Sequence, residues 1–144
     1  MSIAIDTSVL VAIFKGEKGF EYWFDLLAEL AEESPLVACE IVWAEVGSSF
    51  LMFQALRQNM ELLNVVFDPV LPETAHRAGM GFRAYRSQGG PRKHLIPDFL
   101  IGAHAAMQAS GLVAMDRGFY RRYFADVAVI TPGHAYPLAD SGHR

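Results

Sequence analysis

Short apolar runs alternate with longer amphipathic stretches along the whole chain, and no other feature constrains its fold as strongly. Residues 2–5, 36–39, 112–115 and 127–130 read as strands, with 68–71 a further candidate whose Pro69 demotes it toward a sheet edge. Between them lie segments of helical spacing: 9–14, 19–33 with Phe20, Phe24, Leu27 and Leu30 on one face, 41–56, 60–67, 72–87, 97–109, and a helical turn at 118–124. Asp6-Thr7-Ser8 can cap the first helix, Gly16 ends it, and Ser34-Pro35 breaks the next. Pro72, Glu73 and Thr74 suit the first turn of a helix, and residues 88–94 (QGGPRKH) form a basic loop. Strand–helix alternation of this kind predicts an α/β fold with a parallel sheet covered on both faces. One domain is expected over residues 1–144, with 132–144 as a loose tail.

With 52% apolar and 19% charged residues, disorder, collagen-like structure and coiled coil are all excluded. The single Cys39 makes no internal disulfide and leaves no Cys-rich zinc site. No apolar run reaches membrane-spanning length, and the N-terminus carries Asp6 and no basic segment, so a cytoplasmic protein without a membrane partner is expected. Charge is divided unevenly: residues 1–73 hold 12 acids and three bases, residues 74–144 four acids and nine bases, eight of them arginine. Arginine forks match phosphate oxygens, which makes Arg92, Lys93, Arg117, Arg121 and Arg122 candidate phosphate contacts; solvated surface is the ordinary alternative.

Four acids stand isolated. Asp6 is the only charged residue before Lys15, Glu45 the only one between Glu40 and Arg57, and Asp98 the only formal charge between Lys93 and Asp116, which itself closes the run LVAM. A carboxylate in apolar surroundings is costly unless paired, hydrogen-bonded or bound to metal. No basic residue lies nearby in sequence for Asp6, Glu45 or Asp98. If the four converge, a hard divalent cation with oxygen ligands would keep them ionised. Each acid also has an ordinary explanation: Asp6 as an N-cap, Asp98 in a helix first turn after Pro97, Asp116 as a turn residue. Glu45 lies mid-helix, where only an exposed or snorkelling stripe would account for it. Asp6 and Asp116 each follow a strand, at the edge where open α/β sheets place ligands.

IDTSVLVAIF, WAEV, IPDFLIGAHA and DRGFYRRYF together resemble the PIN-domain ribonucleases, specifically the VapC-type toxins of toxin–antitoxin pairs, from Ile3 to about Pro132. The resemblance implies a PIN-like fold, a central five-stranded parallel sheet sandwiched between helices. It also implies that Asp6, Glu45, Asp98 and Asp116 are catalytic and bind Mg²⁺ or Mn²⁺. On this reading the chain is a metal-dependent endoribonuclease with an RNA substrate, a cognate antitoxin and a homodimeric state. Many relatives place Thr two residues before the last acid, where this chain has Ala114. Metal-activated water, and not the ribose 2′-OH, would attack the phosphorus, leaving 5′-phosphate and 3′-hydroxyl ends.

The remaining signals are weaker. His76, His94, His104, His134 and His143 show no HExxH spacing, and His104 is about 600° round the helix from Asp98. Gly79-Met80-Gly81 sits inside a helix and follows no strand, which argues against a dinucleotide fingerprint. Phe20, Trp23 and Phe24 read as core. A haloacid-dehalogenase-like phosphatase would need a second Asp where Ser8 stands. A non-catalytic PIN-like module binding RNA or protein is the other alternative, and a chelator-controlled nuclease assay separates it from the enzyme.

Overall fold

The computed structural model describes residues 1–92, 94–116 and 118–133. Five parallel strands form one sheet in the order β3-β2-β1-β4-β5: β1 (Ile3–Ile5), β2 (Leu36–Ala38), β3 (Val65–Phe67), β4 (Gly111–Val113) and β5 (Val129–Ile130). Every residue of β1, β2 and β4 is buried, so the centre of the sheet is covered on both faces, as uniformly apolar strands require. The covering helices among the described residues are α1 (Thr7–Lys15), α2 (Phe20–Ala31), α3 (Glu40–Gly47), α4 (Phe53–Leu62), α5 (Pro72–Ser87), α6 (Ile96–Gln108) and α7 (Phe119–Tyr123). None of them is long and apolar enough to cross a membrane.

Most element ends fall within one or two residues of expectation, but three readings need correction. The single helix over 41–56 is two, because α3 stops at Gly47 and α4 starts at Phe53. Ser48 donates its hydroxyl to the Glu45 carbonyl at 2.7 Å, the kind of local bond by which serine competes with helix continuation. The helix over 60–67 and strand over 68–71 give way to α4 and then β3, three residues earlier, with Asn64 in the left-handed region (φ 61°) making the turn. The β-branched pair Val65-Val66 outweighed the helical spacing there, although the strand is at the sheet edge as expected. In α2 the buried stripe runs through Trp23 and Leu27, leaving Phe24 exposed. The tail expected over 132–144 lies, from residue 134, outside the described residues.

Phe99 on α6 is fully buried and has ring neighbours in Phe82 and Tyr85 of α5, Phe119 and Tyr123 of α7, and Phe124 just beyond. Gly102, one turn further along α6, packs so closely on the Phe124 ring that a Cβ would overlap it. Together these contacts seat α7 against α6. His104 is a satisfied core histidine, its Nε2 2.8 Å from Asp68 Oδ2.

Candidate active site

The order of the sheet reverses at β1, with β2 and β3 to one side and β4 and β5 to the other. Because β1 and β4 are adjacent and parallel, Asp6 and Asp116 emerge at the same edge, in the crevice where such sheets bind ligands. The Asp6 N–H donates to the Val113 carbonyl at 2.9 Å and so extends the β1–β4 ladder up to the site.

Asp6 occupies the N-cap position of α1, yet its side chain makes no cap bond. Its Oδ2 instead accepts the Ser8 hydroxyl at 2.8 Å, and its Oδ1 accepts the Tyr120 hydroxyl at 3.0 Å. Burial pushes the carboxyl above its ordinary value of 3.8; the two hydroxyls and the Thr7 N–H pull it back, and the charge of Glu45 pushes it up again. Glu45 is exposed and sits in the last turn of α3, which corrects the expectation of a mid-helix acid in apolar surroundings. Thr7 donates its hydroxyl to Glu45 Oε1 at 2.6 Å. A carboxylate in a helix's last turn opposes the helix dipole, so helix stability gives no reason for Glu45 to be there.

The other two acids are turned onto helix starts. Asp98 Oδ2 accepts the Leu95 N–H at 2.9 Å, half of a capping box, with His94 Nδ1 3.9 Å away. Asp116, its side chain 1% exposed, accepts the N–H groups of Gly118 and Tyr120 on Oδ1 and of Arg121 on Oδ2, at 2.9–3.1 Å. Asp6 and Glu45 are thus linked through Thr7, which follows Asp6 and donates to Glu45, while Tyr120 links Asp6 to the start of α7 that holds Asp116. The hydroxyl of that buried tyrosine is pushed well above its ordinary value by burial and then by Asp6, Asp98 and Asp116. Among the described residues no three acidic, His or Cys side chains form a ready-made metal cluster.

The donor set nonetheless fits a hard divalent cation. It is all oxygen, and the charge acting on the buried Asp6 is that of another carboxylate, Glu45. Thr7 and Ser8, read from the sequence only as caps of the first helix, and Tyr120, which had no site role there, are the hydroxyls that hold the acids; two directly follow Asp6 and the third stands four residues after Asp116. Arg92, Arg121 and Arg122 are exposed, and Arg121 Nη1 is 3.9 Å from Asp116 Oδ2. Lys93 and Arg117 lie outside the described residues.

A family model described as "PIN domain" matches residues 3–125. Ribonuclease VapC25 of Mycobacterium tuberculosis is 29% identical over 147 residues, spanning 89% of this chain and 96% of that protein. Among solved structures, VapBC2 from Rickettsia felis bound to a promoter DNA fragment superposes with a TM-score of 0.71 at 16% identity, covering 90% of this chain and 98% of that one. VapBC-1 from nontypeable Haemophilus influenzae gives 0.66 at 19% identity, covering 92% and 98%. At these identities the structural likeness carries the fold.

Proposed function

The chain belongs to the PIN-domain family, and on that premise we propose that it is an endoribonuclease, the toxin of a toxin–antitoxin pair, cutting cytoplasmic RNA with a divalent cation held by Asp6, Glu45, Asp98 and Asp116. The observation that carries the reading is Asp6, a buried carboxylate at the reversal point of the sheet, with Glu45 as its charged neighbour.

Bound Mg²⁺ or Mn²⁺ supplies positive charge at the reacting phosphate and acidifies the attacking water. The chain's own residues supply position. Ser8 and Tyr120 fix the Asp6 carboxylate from two sides, Thr7 orients Glu45, and the first turn of α7 holds Asp116. Exposed Arg92, Arg121 and Arg122 are offered as phosphate contacts along the strand. With water as the nucleophile, the products carry 5′-phosphate and 3′-hydroxyl ends.

The deciding assay mixes the protein with single-stranded RNA in Mn²⁺ and in excess chelator. Cleavage in Mn²⁺ alone, with 5′-phosphate ends, is expected; cyclic-phosphate ends would contradict water attack. Under chelator, RNA affinity should fall with salt at a log–log slope of about −0.7 per phosphate contact, and Arg121→Ala should shallow it by about that much. The capped states of Asp98 and Asp116 favour a second reading, a non-catalytic module, and RNA left intact in Mn²⁺ would establish it.

The same proposal carries an antitoxin partner and a homodimer. Leu51, Met52, Phe53, Leu62, Val66 and Phe67, on the α3–α4 connection, α4 and β3, are exposed and offer such partners apolar side chains. Light scattering on the isolated chain should read about twice its 15.9 kDa mass; a monomer at every concentration would remove the dimer.

A further inference from the structure

Beside the acids, between the end of α5 and α7, lies a cavity of about 320 Å³ walled by Tyr85, His94, Phe119 and Tyr123, with Gly118 and Arg122 also lining it. Its walls are rings in close sequence. The His94 and Phe119 centroids are 4.2 Å apart with planes tilted 32°, Phe119 and Tyr123 are 5.4 Å apart, and Tyr123 and Tyr85 5.3 Å. Arg122 is exposed and carries its guanidinium 5.3 Å from the Tyr123 ring centroid. Tyr85, Phe119 and Tyr123 also neighbour the buried Phe99 ring, so the cavity opens at the margin of that core. Here His94, Phe119 and Tyr123 remain half-buried around an open space.

Two contacts tie this cavity to the acids. His94 Nδ1 is 3.9 Å from Asp98 Oδ2, and the Gly118 N–H donates to Asp116 Oδ1 at 3.1 Å. A chain whose phosphate lies at the acids therefore has an adjoining group within reach of the rings. Single-stranded RNA is recognised by splaying bases onto aromatic and guanidinium planes. The cavity is at the small end of the range for ligand sites, with room for one base and none for a duplex.

We infer that this cavity is a nucleobase pocket, taking one unpaired base next to the scissile phosphate and stacking it among His94, Phe119 and Tyr123 under the charge of Arg122. The inference rests on the ribonuclease reading for its substrate class, and it makes this pocket the place where base preference arises.

The test uses the whole chain under chelator, with two fluorescein-labelled probes: a mixed-sequence RNA hexamer and the same ribose-phosphate chain without bases. The parent should bind the RNA about tenfold or more tighter, since one stacked base contributes on that scale. His94→Ala should remove most of the difference while leaving the affinity for the abasic chain in place. A second measurement needs no variant: hexamers with 2-aminopurine at successive positions should be quenched at one position by the parent. Equal affinity for the two probes, or quenching at no position, would overturn the pocket. Cleavage of RNA in Mn²⁺ together with equal probe affinities would sink the pocket and keep the ribonuclease. Base-dependent binding without any cleavage would keep the pocket and sink the ribonuclease.

Discussion

Asp6→Asn is expected to cut RNA about a thousandfold more slowly than the parent, roughly 4 kcal/mol in the barrier, while folding more stably without metal at neutral pH. The two effects have one source. Burial raises the Asp6 pKa, so the folded state holds the proton to higher pH than the unfolded chain does. A group of this kind favours folding fully below the unfolded value of 3.8, and that contribution is lost as pH rises through the folded value. As pH rises the metal-free parent therefore bears the cost of a carboxyl whose ionisation is opposed by burial and by the charge of Glu45. The single amide oxygen of asparagine can accept one of the two hydroxyls, its amide N–H can donate to the oxygen of the other, and it carries no charge. Melting curves of parent and variant should converge toward pH 3 and separate as pH rises, with the variant higher. Mn²⁺ should raise the parent and leave the variant almost unmoved. If the variant melts lower than the parent at neutral pH and keeps its Mn²⁺ response, Asp6 has a structural partner and the site is elsewhere. Glu45→Gln should lose cleavage in parallel with a smaller change in stability, because Glu45 is exposed.

Phe99→Ala should cost about 3–5 kcal/mol of stability, a large fraction of what a domain of this size has. The ring is fully buried and bridges α5, α6 and α7, and the first turn of α7 supplies the N–H groups that hold Asp116. Its truncation should reach the site as well as the core. Phe99→Leu keeps most of the volume, and it should stay folded while the Mn²⁺-induced rise in melting temperature shrinks. A Leu variant with the parent's full metal response would mean that α7 holds Asp116 without the aromatic cluster. Denaturant melts of both variants, with and without Mn²⁺, make the comparison.

The alternation of strand and helix, and the acids that end strands, were legible because each is a local pattern. Residues 72–87 are helical with the expected ends, since Pro72 and Glu73 suit a first turn and the helix runs through Gly79 and Gly81. The break after Gly47 was hidden because it depends on one serine hydroxyl choosing a nearby carbonyl, a bond with no signature in spacing. The position of β3 was missed because Val65–Phe67 satisfies either period, and pairing with β2 decided between them. At the site, the acids could be read as isolated charges. That Asp98 sits in a helix first turn was legible from Pro97 before it, and the bonds of Asp116 span no more than five residues; that Tyr120 reaches back across 114 residues to Asp6 follows from tertiary placement alone.

The brevity of β1 and β4 has a mechanical consequence. Each strand has three residues, and they pair as Ile3 with Gly111, Ala4 with Leu112 and Ile5 with Val113. A slip of one position would remove a third of that ladder and drag Asp6 about 3.3 Å past Asp116. It would also turn every side chain of β1 to the opposite face. The spacing of the two carboxylates is thus gauged by strand register, like marks on two rulers clamped side by side. Packing changes far below the crevice can mis-set the gauge without touching either acid.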